Sequence, residues 1–97
     1  MEKIDRKYII KATSISSGKI HTEKDSILFL LKDKLLPDLL DKYLELCSVT
    51  KVDERQMRGI QLLKDRVLTW QRANPNKVKL PDVAIGKEEK LVCRDNR

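Results

Sequence analysis

Apolar positions change their rhythm several times along the chain, and each change marks an element. Tyr8-Ile9-Ile10 is short and rich in β-prone residues, and the Thr13 to Gly18 stretch that follows is crowded with turn formers. This predicts an N-terminal strand and a loop, with Lys19-Ile20-His21 as the return arm of a hairpin. From Thr22 the apolar residues Ile27, Leu28, Phe29, Leu30, Leu31, Leu35 and Leu36 predict a helix over 22–36 that is apolar almost all round in its middle. Pro37 ends that helix and suits the first turn of another, 37–48, in which Leu39, Leu40, Tyr43, Leu44, Leu46 and Cys47 recur at helical spacing.

After Ser48 to Val52, Thr50 or Asp53 can cap a long third helix over 53–73, stopped by Asn74-Pro75. Its stripe is Met57, Ile60, Leu63, Val67 and Trp70, and Leu62 and Leu68 widen the arc beyond what one neighbouring helix covers. Gly59 inside this helix reads either as a point of close backbone approach or as an incidental surface glycine. Beyond Pro75, residues 76–83 alternate polar and apolar up to Pro81 and predict an extended arm. Lys90-Leu91-Val92-Cys93 is a further short β-prone run whose pairing with Tyr8-Ile9-Ile10 would tie the termini together. The predicted architecture is mainly α: three helices, a short N-terminal strand or hairpin, and an extended C-terminal arm. A single domain spans 1–83, followed by a tail or edge strand over 84–97.

This is more apolar surface than the helices of a 97-residue chain are expected to cover for one another, unless the stretch from Val78 to Val92 folds back over the excess. Self-association follows as an expectation, with Phe29, Leu30, Leu62 and Leu68 as the interface, and a symmetric dimer as its simplest form.

Composition sharpens the picture in two ways. Hydrophobic residues make up 40% and charged residues 37%, too apolar for a disordered chain and too charged for a membrane protein. The longest apolar run, Ile27 to Leu31, is far short of the ~20 residues of a membrane span. The N-terminus lacks both a secretory core and the acid-poor character of a transit peptide, so the expected compartment is the cytoplasm, or a host cytoplasm. The net charge of +6, from 21 Lys plus Arg against 15 Asp plus Glu, favours a phosphate-bearing or acidic partner. Cys47 reads as a small apolar filler of a helix and Cys93 as a tail residue. Neither they nor His21 stand at metal-ligand spacing, so no metal or cofactor is expected.

The densest candidate chemistry is the turn from Ser16 to Asp25. Thr22 can cap the helix predicted to follow, with Asp25 at the capping-box position, and Lys19, His21 and Lys24 bring positive charge to the same end. Ser17, Gly18, Lys19, His21, Thr22 and Lys24 therefore form a candidate anion site, completed by Arg58 and Arg72 from the long helix or from another subunit. No phosphate-loop spacing accompanies Ser17-Gly18-Lys19, and no Ser or Cys nucleophile stands in a recognisable elbow beside His21 and Asp25, so catalysis is not expected. The aromatic residues Tyr8, Phe29, Tyr43 and Trp70 are few, and three of them fall on expected core faces, which disfavours RNA recognition by stacking.

The expected function is that of a small non-catalytic homo-oligomer holding a nucleotide or nucleic acid at this turn. The alternative is an inhibitor or adaptor that offers a helix face or the Val78 to Val83 arm to a partner protein. In size and layout the chain is similar to small accessory proteins encoded by phages, some of which inhibit host defence. That resemblance implies a role in gripping a protein or in sequestering a nucleotide signal.

Overall fold

The structure, a computed structural model, describes residues 2–81, which divide into two compact units: residues 2–28 and Phe29–Pro81. In the first, β1 (Lys11–Thr13) pairs antiparallel with β2 (Ile20–Thr22) in the register Lys11↔Thr22, Ala12↔His21, Thr13↔Ile20. The expected hairpin therefore forms, but its first strand lies just after Tyr8-Ile9-Ile10 rather than on it. The amides that would have joined a ladder there are taken by carboxylates: Tyr8 N–H donates to Asp5 Oδ1 at 2.9 Å and Ile10 N–H to Glu23 Oε1 at 3.0 Å.

Asp5 organises this unit. Its side chain is 8% exposed. Oδ1 accepts from Lys7 N–H and Tyr8 N–H, each at 2.9 Å, and Oδ2 accepts from Leu28 N–H at 2.8 Å. Burial pushes its carboxyl up, but the Leu28, Tyr8 and Lys7 amides and the Lys7 charge outweigh that and hold it below its ordinary value. The Glu23 carbonyl accepts from Ile4 N–H and Asp5 N–H, stitching the same two segments together a second time.

The second unit is a helical hairpin of α1 (Leu36–Val49) and α2 (Glu54–Ala73). Asp53 caps α2, accepting from Arg55 N–H at 2.8 Å, and Asn74 closes it. Pro37 stands in the first turn of α1, where no side chain caps the helix. At the other end of α1, Lys51 adopts φ +59°, and Val52 N–H donates to the Cys47 carbonyl at 2.9 Å, a Schellman closure with lysine where glycine is usual. Leu36, Pro37 and Cys47 from α1 and Ile60 and Val67 from α2 are buried, Val67 to 1% exposure. Cys47 is the buried filler expected of it, a free thiol.

The architecture thus has two helices, not three: the first expected helix, over 22–36, does not form, and only Leu36 of that stretch is helical, as the first residue of α1. Several of the backbone groups that helix would have joined bond elsewhere. Asp25 Oδ1 accepts from Thr22 N–H, and the Ser26 hydroxyl donates to the Thr22 carbonyl that Ser26 N–H would have used. Leu28 N–H goes to Asp5. Further on, Lys79 N–H donates to the Lys32 carbonyl and Lys34 N–H to the Lys79 carbonyl, both at 2.9 Å, in a parallel bridge of Asp33 with Lys79. Gln71 Nε2 donates to the carbonyls of Leu31 at 2.9 Å and Asp33 at 2.8 Å. A helix over Ile27 to Leu31 would have needed apolar cover on every side, whereas the observed path satisfies its backbone from neighbours. The expected arm is extended at Lys79, while the pairing proposed for Lys90 to Cys93 and the 84–97 tail lie outside the described residues.

Gly59 is not a site of close approach: a methyl group there would meet nothing within 4 Å.

Candidate functional site

The Ser16 to Asp25 turn does assemble locally. Ser14 N–H donates to the Lys19 carbonyl at 2.8 Å and Gly18 N–H to the Ser14 carbonyl at 2.9 Å, with Gly18 at φ +73°. Ser17 N–H donates to Ser14 Oγ and Lys19 N–H to Ser17 Oγ. Lys24 N–H donates to Thr22 Oγ1 at 3.3 Å, and Thr22 N–H to Asp25 Oδ1 at 2.9 Å. Of a capping box between Thr22 and Asp25 only one arm forms: Asp25 accepts from Thr22 N–H, whereas Asp25 N–H donates to the Thr22 carbonyl rather than to Thr22 Oγ1, and no helix continues the turn. An anion arriving here would find those amides already engaged and the Asp25 carboxylate in its place.

His21 Nδ1 lies 2.8 Å from Asp25 Oδ2, with both side chains about half exposed. The His21 hydrogen bond, followed by the Thr22 amide, holds the Asp25 carboxyl below its ordinary value. The Ser26 hydroxyl is turned to the Thr22 carbonyl, not to His21, so the pair does not extend into a nucleophile–base relay.

Arg58 and Arg72 belong to the other unit, on α2, where helix geometry separates them by about 21 Å along the axis. That is too far for one phosphate to be held by both.

The helical hairpin carries a different feature. At about 100° per residue, Asp41 of α1 and Lys64 of α2 fall on one side, where their side chains pair. Leu39, Tyr43 and Leu46 of α1 and Leu63 of α2 fall on the opposite side, and they remain between 42% and 63% exposed. Leu35 extends this row at the start of α1. Sequence reasoning assigned Leu39, Tyr43, Leu46 and Leu63 to core stripes. The signal that could have corrected it was the pattern 39, 40, 43, 44, 46, 47, whose arc is too wide for a single facing helix.

Of the residues expected at an interface, Leu62 is exposed on the outer side of α2, Leu68 is half-buried beside the polar side, and Phe29 and Leu30 line an open cleft against Trp70. Phe29 and Tyr43 are thus not core aromatics: each exposes about half its surface. Among the described residues no group of His, Cys, Asp and Glu could hold a metal ion, and no helix is long and apolar enough to cross a membrane. Comparison with protein-family models, curated proteins and solved structures finds no match to this chain.

Proposed function

We propose that the protein is a small non-catalytic binding protein acting as a homo-oligomer, in which two copies meet through the apolar side of the α1–α2 hairpin, and that it works in the cytoplasm. The observation that carries this reading is the row Leu35, Leu39, Tyr43, Leu46 and Leu63, about half exposed along the side of the hairpin opposite the Asp41–Lys64 pair. Contiguous apolar patches of this kind on small proteins mark association surfaces. A two-fold contact needs only that one patch face itself, which a flat two-helix layer does readily.

Completing the burial of each such residue is worth about 1 kcal/mol at ~25 cal/mol per Å². With both copies contributing, about 10 kcal/mol stands against an association cost of at least ~4 kcal/mol, giving a dissociation constant on the order of tens of micromolar. The net charge of +6 on each copy opposes association, so salt should tighten the dimer.

Sedimentation equilibrium tests this. The wild type should dimerise across the micromolar range, more tightly at higher salt, and Leu46→Glu should be monomeric with its helical circular dichroism intact. A wild-type monomer at several hundred micromolar, or a Leu46→Glu variant that associates as before, defeats the reading.

A further inference from the structure

The β1–β2 hairpin carries an uncovered apolar side chain at its tip. Ile15 stands in the turn that joins the strands and is wholly exposed, and Ile20, the first residue of β2 and the partner of Thr13, exposes more than half its surface. The turn is fixed from within. Ser14 Oγ accepts from Ser17 N–H and Ser17 Oγ from Lys19 N–H, while the Ser14 carbonyl accepts from Gly18 N–H and the Lys19 carbonyl from Ser14 N–H. These main-chain groups therefore keep their partners when the tip enters a less polar medium, and their desolvation strands none of them.

Positive charge surrounds the same tip. From Arg6 to Thr22 the sequence contains no Asp or Glu. Lys19 immediately precedes Ile20, and Lys11 lies two residues back from Thr13, opposite Thr22. Neither ammonium group is in an ion pair among the described residues. The carboxylates on either side of the stretch, Asp5, Glu23 and Asp25, are turned onto main-chain amides.

We propose that the hairpin tip docks on an anionic lipid surface, with Ile15 and Ile20 at the boundary of headgroups and acyl chains and Lys11 and Lys19 among the lipid headgroup anions. Charge and apolarity select this partner jointly. A nucleic-acid backbone would answer the lysines and leave the isoleucines in water, whereas a neutral bilayer would do the reverse. Lying on a bilayer needs no spanning segment: it combines a little buried apolar surface with the attraction of cations for anionic lipids, each lysine contributing about fivefold in affinity. This contact involves the first unit alone and does not rest on dimerisation.

Cosedimentation with vesicles tests the proposal. The full chain should pellet with mixed phosphatidylserine–phosphatidylcholine vesicles and stay in solution with pure phosphatidylcholine, and added salt should weaken the binding. Lys11→Gln/Lys19→Gln should weaken it about thirtyfold and Ile15→Ser about tenfold. Because the Ile15 side chain is wholly exposed, Ile15→Ser leaves the bonds of the turn in place, which unchanged amide shifts at Ala12 and His21 would show. In the wild type, spin-labelled lipids should broaden the Ile15 and Ile20 methyl signals and spare those of buried Ile60. Equal binding to both kinds of vesicle, no binding to either, full affinity in Ile15→Ser, or broadening that misses Ile15 would overturn the proposal. So would an oligonucleotide that displaces the vesicles and binds the wild type and Ile15→Ser equally, which would make the partner a nucleic acid.

Discussion

Asp5 is the residue on which the first unit most depends, and its removal gives a quantitative test. Its carboxylate receives three main-chain amides at 2.8–2.9 Å, two from the segment just after it and one from Leu28, while being 8% exposed. Hydrogen bonds to a charged acceptor contribute about 1.5–3 kcal/mol, and a buried amide left without one costs about 1–3 kcal/mol. Asp5→Asn keeps one acceptor oxygen and turns an NH2 donor toward an amide donor, so at least one bond becomes a repulsion, at a cost of about 2 kcal/mol. Asp5→Ala orphans all three amides, and water relieves part of the loss at this shallow depth, leaving about 3 kcal/mol.

The assay is amide hydrogen exchange resolved at Leu28 and Tyr8. A loss of 2 kcal/mol should accelerate exchange about thirtyfold in Asp5→Asn, with the α1–α2 amides unaffected. The same carboxyl gives the pH dependence. Its folded-state pKa lies below the ordinary 3.8, so its stabilisation is complete above that value and is lost as pH falls through the lower folded value. Unchanged protection at Leu28 in Asp5→Asn would refute the reasoning, because it would mean the carboxylate holds nothing that water cannot.

Other outcomes follow from single positions. Lys51 in the left-handed region pays a strain that glycine would not, so Lys51→Gly should stabilise the hairpin by about 1 kcal/mol and raise its melting temperature. Gly18→Ala, at φ +73° with open space around it, should destabilise the β1–β2 turn by a similar amount. In a carboxyl NMR titration Asp25 should titrate below 3.8 in the wild type and return toward it in His21→Ala, since the His21 hydrogen bond is the largest contribution to its lowered value. An Asp25 midpoint unchanged by His21→Ala would count against the pairing.

The two helices that form were legible to within a residue or two. Asp53, Pro37 and Asn74-Pro75 act through their own local chemistry, and a capping carboxylate or a missing amide does so in almost any surroundings. The candidate anion turn was legible as a turn for the same reason: Ser14, Ser17, Thr22 and Asp25 bond to amides two or three positions away. Its free amides were not legible, because whether they stay free depends on which side chains turn back onto them.

What the sequence by itself determined is the set of short-range decisions: where two amphipathic helices begin and end, and that a polar loop reverses the chain before Thr22. Only the tertiary structure decided the fate of residues 22–36, whose apolar content fits a helix equally well. There Asp5, Gln71 and Lys79, distant in sequence, take the very backbone groups a helix would have joined to one another. The same long-range bonds bring Lys32 beside Lys79, a convergence that no local spacing encodes.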